Sequence, residues 1–149
     1  MTPLKSRSIL IRICGLAVGA FLSLLACAAD TASGPPSVSA RDLITRDLVG
    51  MDGKEVRLLT VEYRGGSASL PHRHDAQVFV YVLAGKVRMQ VAGSPQVTLG
   101  PGETFYEGPD DIHTVSANAS PSEPARILVV MIRDKSKPLS TDVPSKEPQ

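Results

Sequence analysis

"PHRHDAQVFVYVLAG", residues 71–85, joins two histidines one residue apart to a β-favouring run that ends on a glycine. Valine, phenylalanine and tyrosine crowd positions 78–82, and such side chains fit a pleated, half-buried surface. Successive side chains of an extended chain point to opposite faces, so His72 and His74 share one side of the backbone. The same parity carries Val78, Val80 and Val82 on that face and Phe79, Tyr81 and Leu83 on the other. Two imidazoles on one side of a strand can share a metal ion, although an isolated His-x-His also occurs on ordinary surfaces.

The neighbouring sequence has the same texture. Further β-type segments are "VRLLTVEY" (56–63), "KVRMQVA" (86–92), "QVTL" (96–99), "ETFYE" (103–107), "HTVSA" (113–117) and "RILVVMI" (126–132). Asp52-Gly53, Gly85 and Gly93-Ser94-Pro95 punctuate them as turns and hairpin connections. No gap is long enough for a crossover helix, so a parallel βαβ arrangement is excluded. The pattern predicts an all-β, antiparallel sandwich or small barrel. A weak helical signal covers "SARDLITRDLVG" (39–50), giving a short irregular or weakly helical lead-in.

The two ends differ from this middle. "MTPLKSRSILIR" is basic, "ICGLAVGAFLSLL" apolar and "ACAAD" small, the three parts of an export signal. "LLAC" at 24–27 also resembles a bacterial lipobox, with Cys27 as the lipidation site; a plain secretory cut after Ala28 or Ala29 is the alternative. An uncleaved anchor is disfavoured, because Arg12 leaves the apolar stretch only marginally long enough to span. The expected location is therefore the periplasm, free or as a membrane-anchored lipoprotein. Residues 1–27 are read as the signal, 28–40 as a flexible tether, 41–135 as the folded domain and 136–149 as a disordered tail. The only cysteines are Cys14 and Cys27, so the folded part has no disulfide. After Cys27 there are 13 basic and 15 acidic residues, a balance of −2, with no basic cluster that would suit nucleic acid.

The chain has three histidines: His72, His74 and, opening a later strand-like segment, His113. Three neutral nitrogen ligands with open positions would match the ligand count of a catalytic metal site. The stretch resembles the first motif of the cupin superfamily, G-x5-H-x-H-x(3,4)-E-x6-G, through Gly66, His72, His74, Val78 and Gly85. Every spacing fits and only the glutamate is missing, with Val78 in its place. "GETFYEGPDDIHTVSAN" resembles the second motif, G-x5-P-x-G-x2-H-x3-N, more loosely. It keeps His113, has Gly108 and Asp110 where the family has Pro and Gly, and brings Asn118 one position late. The resemblance covers roughly residues 42–135 and implies a jelly-roll barrel with one bound metal. It is similar to small exported single-domain cupins and says little about substrate.

Two residues could replace the absent carboxylate. Gln77 lies on the opposite strand face and would need a bulge to reach the site; Glu107 could approach from a partner strand. Val78 and Tyr106 are candidate pocket residues. Phe79, Tyr81 and Leu83 suit burial under a second layer or in a homodimer contact, while Asp110 and Asp111 suit a solvated turn. A three-histidine site leaves a divalent ion its full charge, which favours an anionic ligand or a lowered pKa of bound water. Imidazole ligands favour Zn, Fe, Ni or Cu over Mn or Mg. The resulting expectation is an exported metal-binding cupin acting on a small polar or anionic molecule. The alternatives are a non-catalytic ligand-binding or structural module and, by analogy with the family's three-histidine iron sites, a mononuclear iron dioxygenase.

Overall fold

The computed structural model of the chain describes residues 38–144. The expected signal with Cys27, the tether up to residue 37 and the last five residues, 145–149, lie outside them. Ten strands follow in order: β1 (Val38–Asp47), β2 (Lys54–Tyr63), β3 (His72–Arg73), β4 (Ala76–Ala84), β5 (Val87–Val91), β6 (Val97–Leu99), β7 (Thr104–Glu107), β8 (Ile112–Asn118), β9 (Ala125–Asp134) and β10 (Thr141–Asp142). They form two five-stranded sheets, β1-β2-β9-β4-β7 and β10-β3-β8-β5-β6. All the strand pairings are antiparallel. This is the all-β double-sheet barrel that the alternating pattern and turn spacing predict.

Alternation decides which side chains fill the barrel. On β4, Val78, Val80 and Val82 are buried while Phe79, Tyr81 and Leu83 are exposed. Ile127, Val129 and Met131 of β9 and Leu59 of β2 meet them from the same sheet, and Val87, Met89 and Leu99 close the core from the other. Gly85 turns β4 into β5 at φ +71°, and a Cβ there would stand 2.5 Å from the Pro124 carbonyl oxygen. Both the backbone conformation and the close approach require glycine.

Three expectations are corrected. The segment read as weakly helical is strand β1, paired with β2 along nearly its whole length. Its ladder of backbone bonds outweighs a small helix propensity, and a register shift between Asp42 and Ile44 breaks the alternation that would have marked it as a strand. Arg57 of β2 fastens it by donating twice to the Asp42 carboxylate, at 2.7 and 2.5 Å. Residues 38–40, read as part of the tether, thus belong to β1.

The fold also continues beyond residue 135. Residues 136–144, expected to be disordered, run back as a strap whose strand β10 pairs with β3, with Val143 N donating to Pro71 O at 2.9 Å. Arg133, buried in an ion pair with Glu55, also donates to the Lys137 carbonyl and anchors the strap's root. Leu139 packs on the core. Backbone pairing and one leucine hold the strap, so its polar composition gave no sign of order. Finally, Phe79, Tyr81 and Leu83 are 43%, 45% and 37% exposed, on a face that no second layer of the described chain covers, so of the two burials expected for them only the one under a second layer is corrected.

Candidate metal centre

His72 and His74 flank the end of β3, and His113 lies on β8 as the register partner of His72. The pairing brings three histidines from distant sequence to one end of the barrel interior. The His72 and His74 rings are 4.9 Å apart between centroids, and those of His72 and His113 5.2 Å. His113 is buried and stacks on Phe105. Asp111 shapes the turn before it by accepting from Gly108 N at 2.7 Å, so a turn survives where the family pattern has Pro and Gly.

Backbone carbonyls orient two of the rings. His72 Nδ1 donates to Leu70 O and His74 Nδ1 to Leu139 O, each at 2.7 Å. A proton fixed on Nδ1 leaves the Nε2 lone pair free, the arrangement that prepares a histidine as a metal ligand. The strap therefore supplies the group that positions His74. Burial pushes the pKa of His72 below its ordinary value and so favours the neutral, ligand-competent ring, an effect the Leu70 carbonyl partly offsets.

A carboxylate stands on the neighbouring strand, opposite Val78. β4 and β7 pair so that Val78 faces Glu107 directly. Register partners in an antiparallel pair point to the same side, and both residues line one cavity. Glu107 is only 3% exposed; its Oε1 lies 3.2 Å from His113 Nδ1 and its Oε2 4.0 Å from His74 Nε2. Glu107 Oε2 and both ring nitrogens of His113 are buried without a hydrogen-bond partner. Orphaned buried polar atoms are costly and rare in native folds, and a cation there would satisfy Glu107 Oε2 and one of the two ring nitrogens of His113.

The donors fit a metal by identity and convergence, without being closed on a point. Among the described residues, no three His, Cys, Asp or Glu side chains are already arranged to hold an ion. The 4.0 Å between His74 Nε2 and Glu107 Oε2 exceeds the roughly 3 Å between neighbouring ligands on one ion with bonds of about 2.1 Å. Small side-chain rotations would complete the set.

Other residues singled out in the sequence fall away from the site. Gln77 is exposed on the outer face, and β4 carries no bulge near it, since its register shift lies at Val82/Ala84. Tyr106 is 49% exposed and packs against Phe79 outside the barrel, because its neighbour Glu107 takes the inward position. Val78 does line the cavity. Tyr63, which sequence reading passed over, also lines it and shares a 2.7 Å hydrogen bond with Ser116. Its alternating position on β2, inward with Leu59, was the available signal. Asn118 is buried, its amide donating to the carbonyls of Tyr63, Arg64 and Glu123.

Residues 59–131 match the family model described as a cupin domain. Among solved structures, the chain is similar to the DMSP lyase DddQ from Ruegeria pomeroyi DSS-3, with 21% identity and a TM-score of 0.57 over 70% of this chain and 51% of that one. It is also similar to an oxalate oxidase in complex with glycolate, at 20% identity and TM-score 0.56, covering 74% of this chain and 57% of that one. A cupin-2 domain from Rhodospirillum rubrum matches at 19% identity and TM-score 0.57, over 74% and 68% of the two chains. The chain thus spans about half the length of the first two, and at these identities the likeness is one of fold. No protein of curated function matches the chain.

Proposed function

Because residues 59–131 match a cupin-domain model, we propose that the chain is a cupin that holds one divalent transition metal through His72, His74, His113 and Glu107 and takes a small molecule into the adjoining cavity. The observation that carries this reading is that Glu107 Oε2 and the ring nitrogens of His113 are buried with no hydrogen-bond partner among the described residues. Glu107 takes the part of the family's glutamate from the neighbouring strand, which accounts for an apolar Val78 at a position the motif reserves for a ligand. Three imidazoles and one carboxylate still favour Zn, Fe, Ni or Cu over Mn or Mg.

Such a metal supplies Lewis acidity and open positions for a bound molecule. The chain's own groups orient and line the site. Leu70 and Leu139 hold the rings of His72 and His74, and largely aliphatic walls line the cavity beside them. Tyr63 keeps its proton, since burial pushes its pKa up, and it offers a neutral hydroxyl beside Ser116. The basic, apolar and small-residue segments of the first 29 residues support export, with Cys27 as a lipid-anchor site if the lipobox is used.

Metal analysis of purified protein tests the reading. The wild type should retain about one equivalent per chain after dialysis at neutral pH, and His72→Ala/His74→Ala should retain almost none. Equal metal in the two would overturn it.

A further inference from the structure

The donors open onto a cavity of about 180 Å³ inside the barrel. We infer that the cavity takes a small molecule with an apolar body and a single metal-seeking donor atom, rather than a polyanion or a polyhydroxyl compound. The inference rests on the metal centre proposed above and adds the class of its ligand.

Three observations carry it. The walls are aliphatic, with Leu59, Val61, Val80, Ile127, Val129 and Met131 contributed by the β1-β2-β9-β4-β7 sheet, and neither lysine nor arginine lines the cavity. Val78 extends this surface to the metal donors and presents methyl groups where the family motif would place a charge. The polar wall groups are few and uncharged: Tyr63 Oη and Ser116 Oγ bond to each other, and Ser69 and Ser140 add two further hydroxyls. Arg133, a buried cation of the same sheet, is held by Glu55 and the Lys137 carbonyl and does not line the cavity.

This ligand class differs from the polar or anionic one expected from the sequence. That expectation took the metal to be bound by neutral ligands alone, whereas Glu107 cancels one of the two charges of a divalent ion. A carboxylate tail would be desolvated with no cation to receive it, and the hydroxyls of a polyol would find few free partners. An apolar body loses no hydrogen bonds on entry and buries its own surface.

Cobalt(II)-loaded protein, followed by its visible absorption, separates the possibilities with thiols that share one donor and differ in the tail. Isobutanethiol should bind at least about tenfold more tightly than mercaptopropionate or thioglycerol, reflecting the cost of burying an unpartnered polar tail. A Val61→Phe protein, with the cavity narrowed away from the donors, should take up cobalt as the wild type does and lose isobutanethiol affinity. Mercaptopropionate or thioglycerol binding as tightly as isobutanethiol would overturn the ligand class while leaving the metal centre standing. Unchanged isobutanethiol affinity in Val61→Phe would do the same. Failure of the wild type to take up cobalt would overturn the metal centre, and the ligand class with it.

Discussion

Moving the carboxylate back to the family's position is the perturbation that most sharply separates a ligand at Glu107 from a bystander. Val78 and Glu107 are register partners on β4 and β7, so their Cβ atoms are about 4.5–5.5 Å apart on one face. A glutamate at either position can extend toward the three histidines. Four-ligand zinc sites bind with an apparent 10–16 kcal/mol, about 2.5–4 kcal/mol per ligand if shared evenly. Glu107→Val should therefore weaken zinc binding by about 70- to 900-fold at 1.36 kcal/mol per decade. It should also leave the metal-free fold as stable or more so, because it removes a buried carboxylate oxygen that has no partner. Val78→Glu/Glu107→Val should recover affinity to within about tenfold of the wild type. The assay is competition against a chelator, with a thermal melt of each metal-free variant. Wild-type affinity in Glu107→Val would refute the reasoning, as would a folded double variant that stays as weak as the single one.

Three further outcomes follow from other parts of the molecule. A chain ending at Ser136 loses the Leu139 carbonyl that holds His74 and the β10–β3 pairing; it should fold, by circular dichroism, and bind zinc about 10–100-fold more weakly, the usual cost of removing a group that orients a metal-binding histidine. Gly85→Ala puts a Cβ 2.5 Å from Pro124 O at φ +71° and should lower stability in urea unfolding by about 2 kcal/mol or more. His72, with its pKa lowered by burial in the folded state, binds its proton more readily when unfolded. Metal-free protein should accordingly hold this contribution above the ordinary value of 6.5 and lose it as pH falls through the lowered folded value. Urea midpoints from pH 7.5 to 5 would show the loss, and His72→Gln should flatten that part of the profile.

What sequence could reveal depended on how local each signal was. The strand at 76–84 was legible because valines and aromatics alternate without interruption, and Gly85 closes it. The three histidines were legible by type, and His72 with His74 by spacing. The partnership of His72 with His113, and of Val78 with Glu107, depends on registers between strands 29 to 41 positions apart, which no local pattern encodes. Parity did narrow the choice: it set Gln77 outside and left Glu107 open as a substitute. Tyr106 was misplaced because the inward parity on β7 belongs to Glu107 and Phe105 packs beside His113. β1 escaped recognition through its bulge. The strap escaped because backbone pairing and a carbonyl, features that any residue carries, hold it in place.

The most direct test is a crystal structure of zinc-loaded protein with anomalous data collected on both sides of the zinc absorption edge. One strong peak should lie within bonding distance of His72 Nε2, His74 Nε2, a ring nitrogen of His113 and a carboxylate oxygen of Glu107. A peak bound by the histidines with Glu107 turned away, or no peak at the barrel end, would contradict the account.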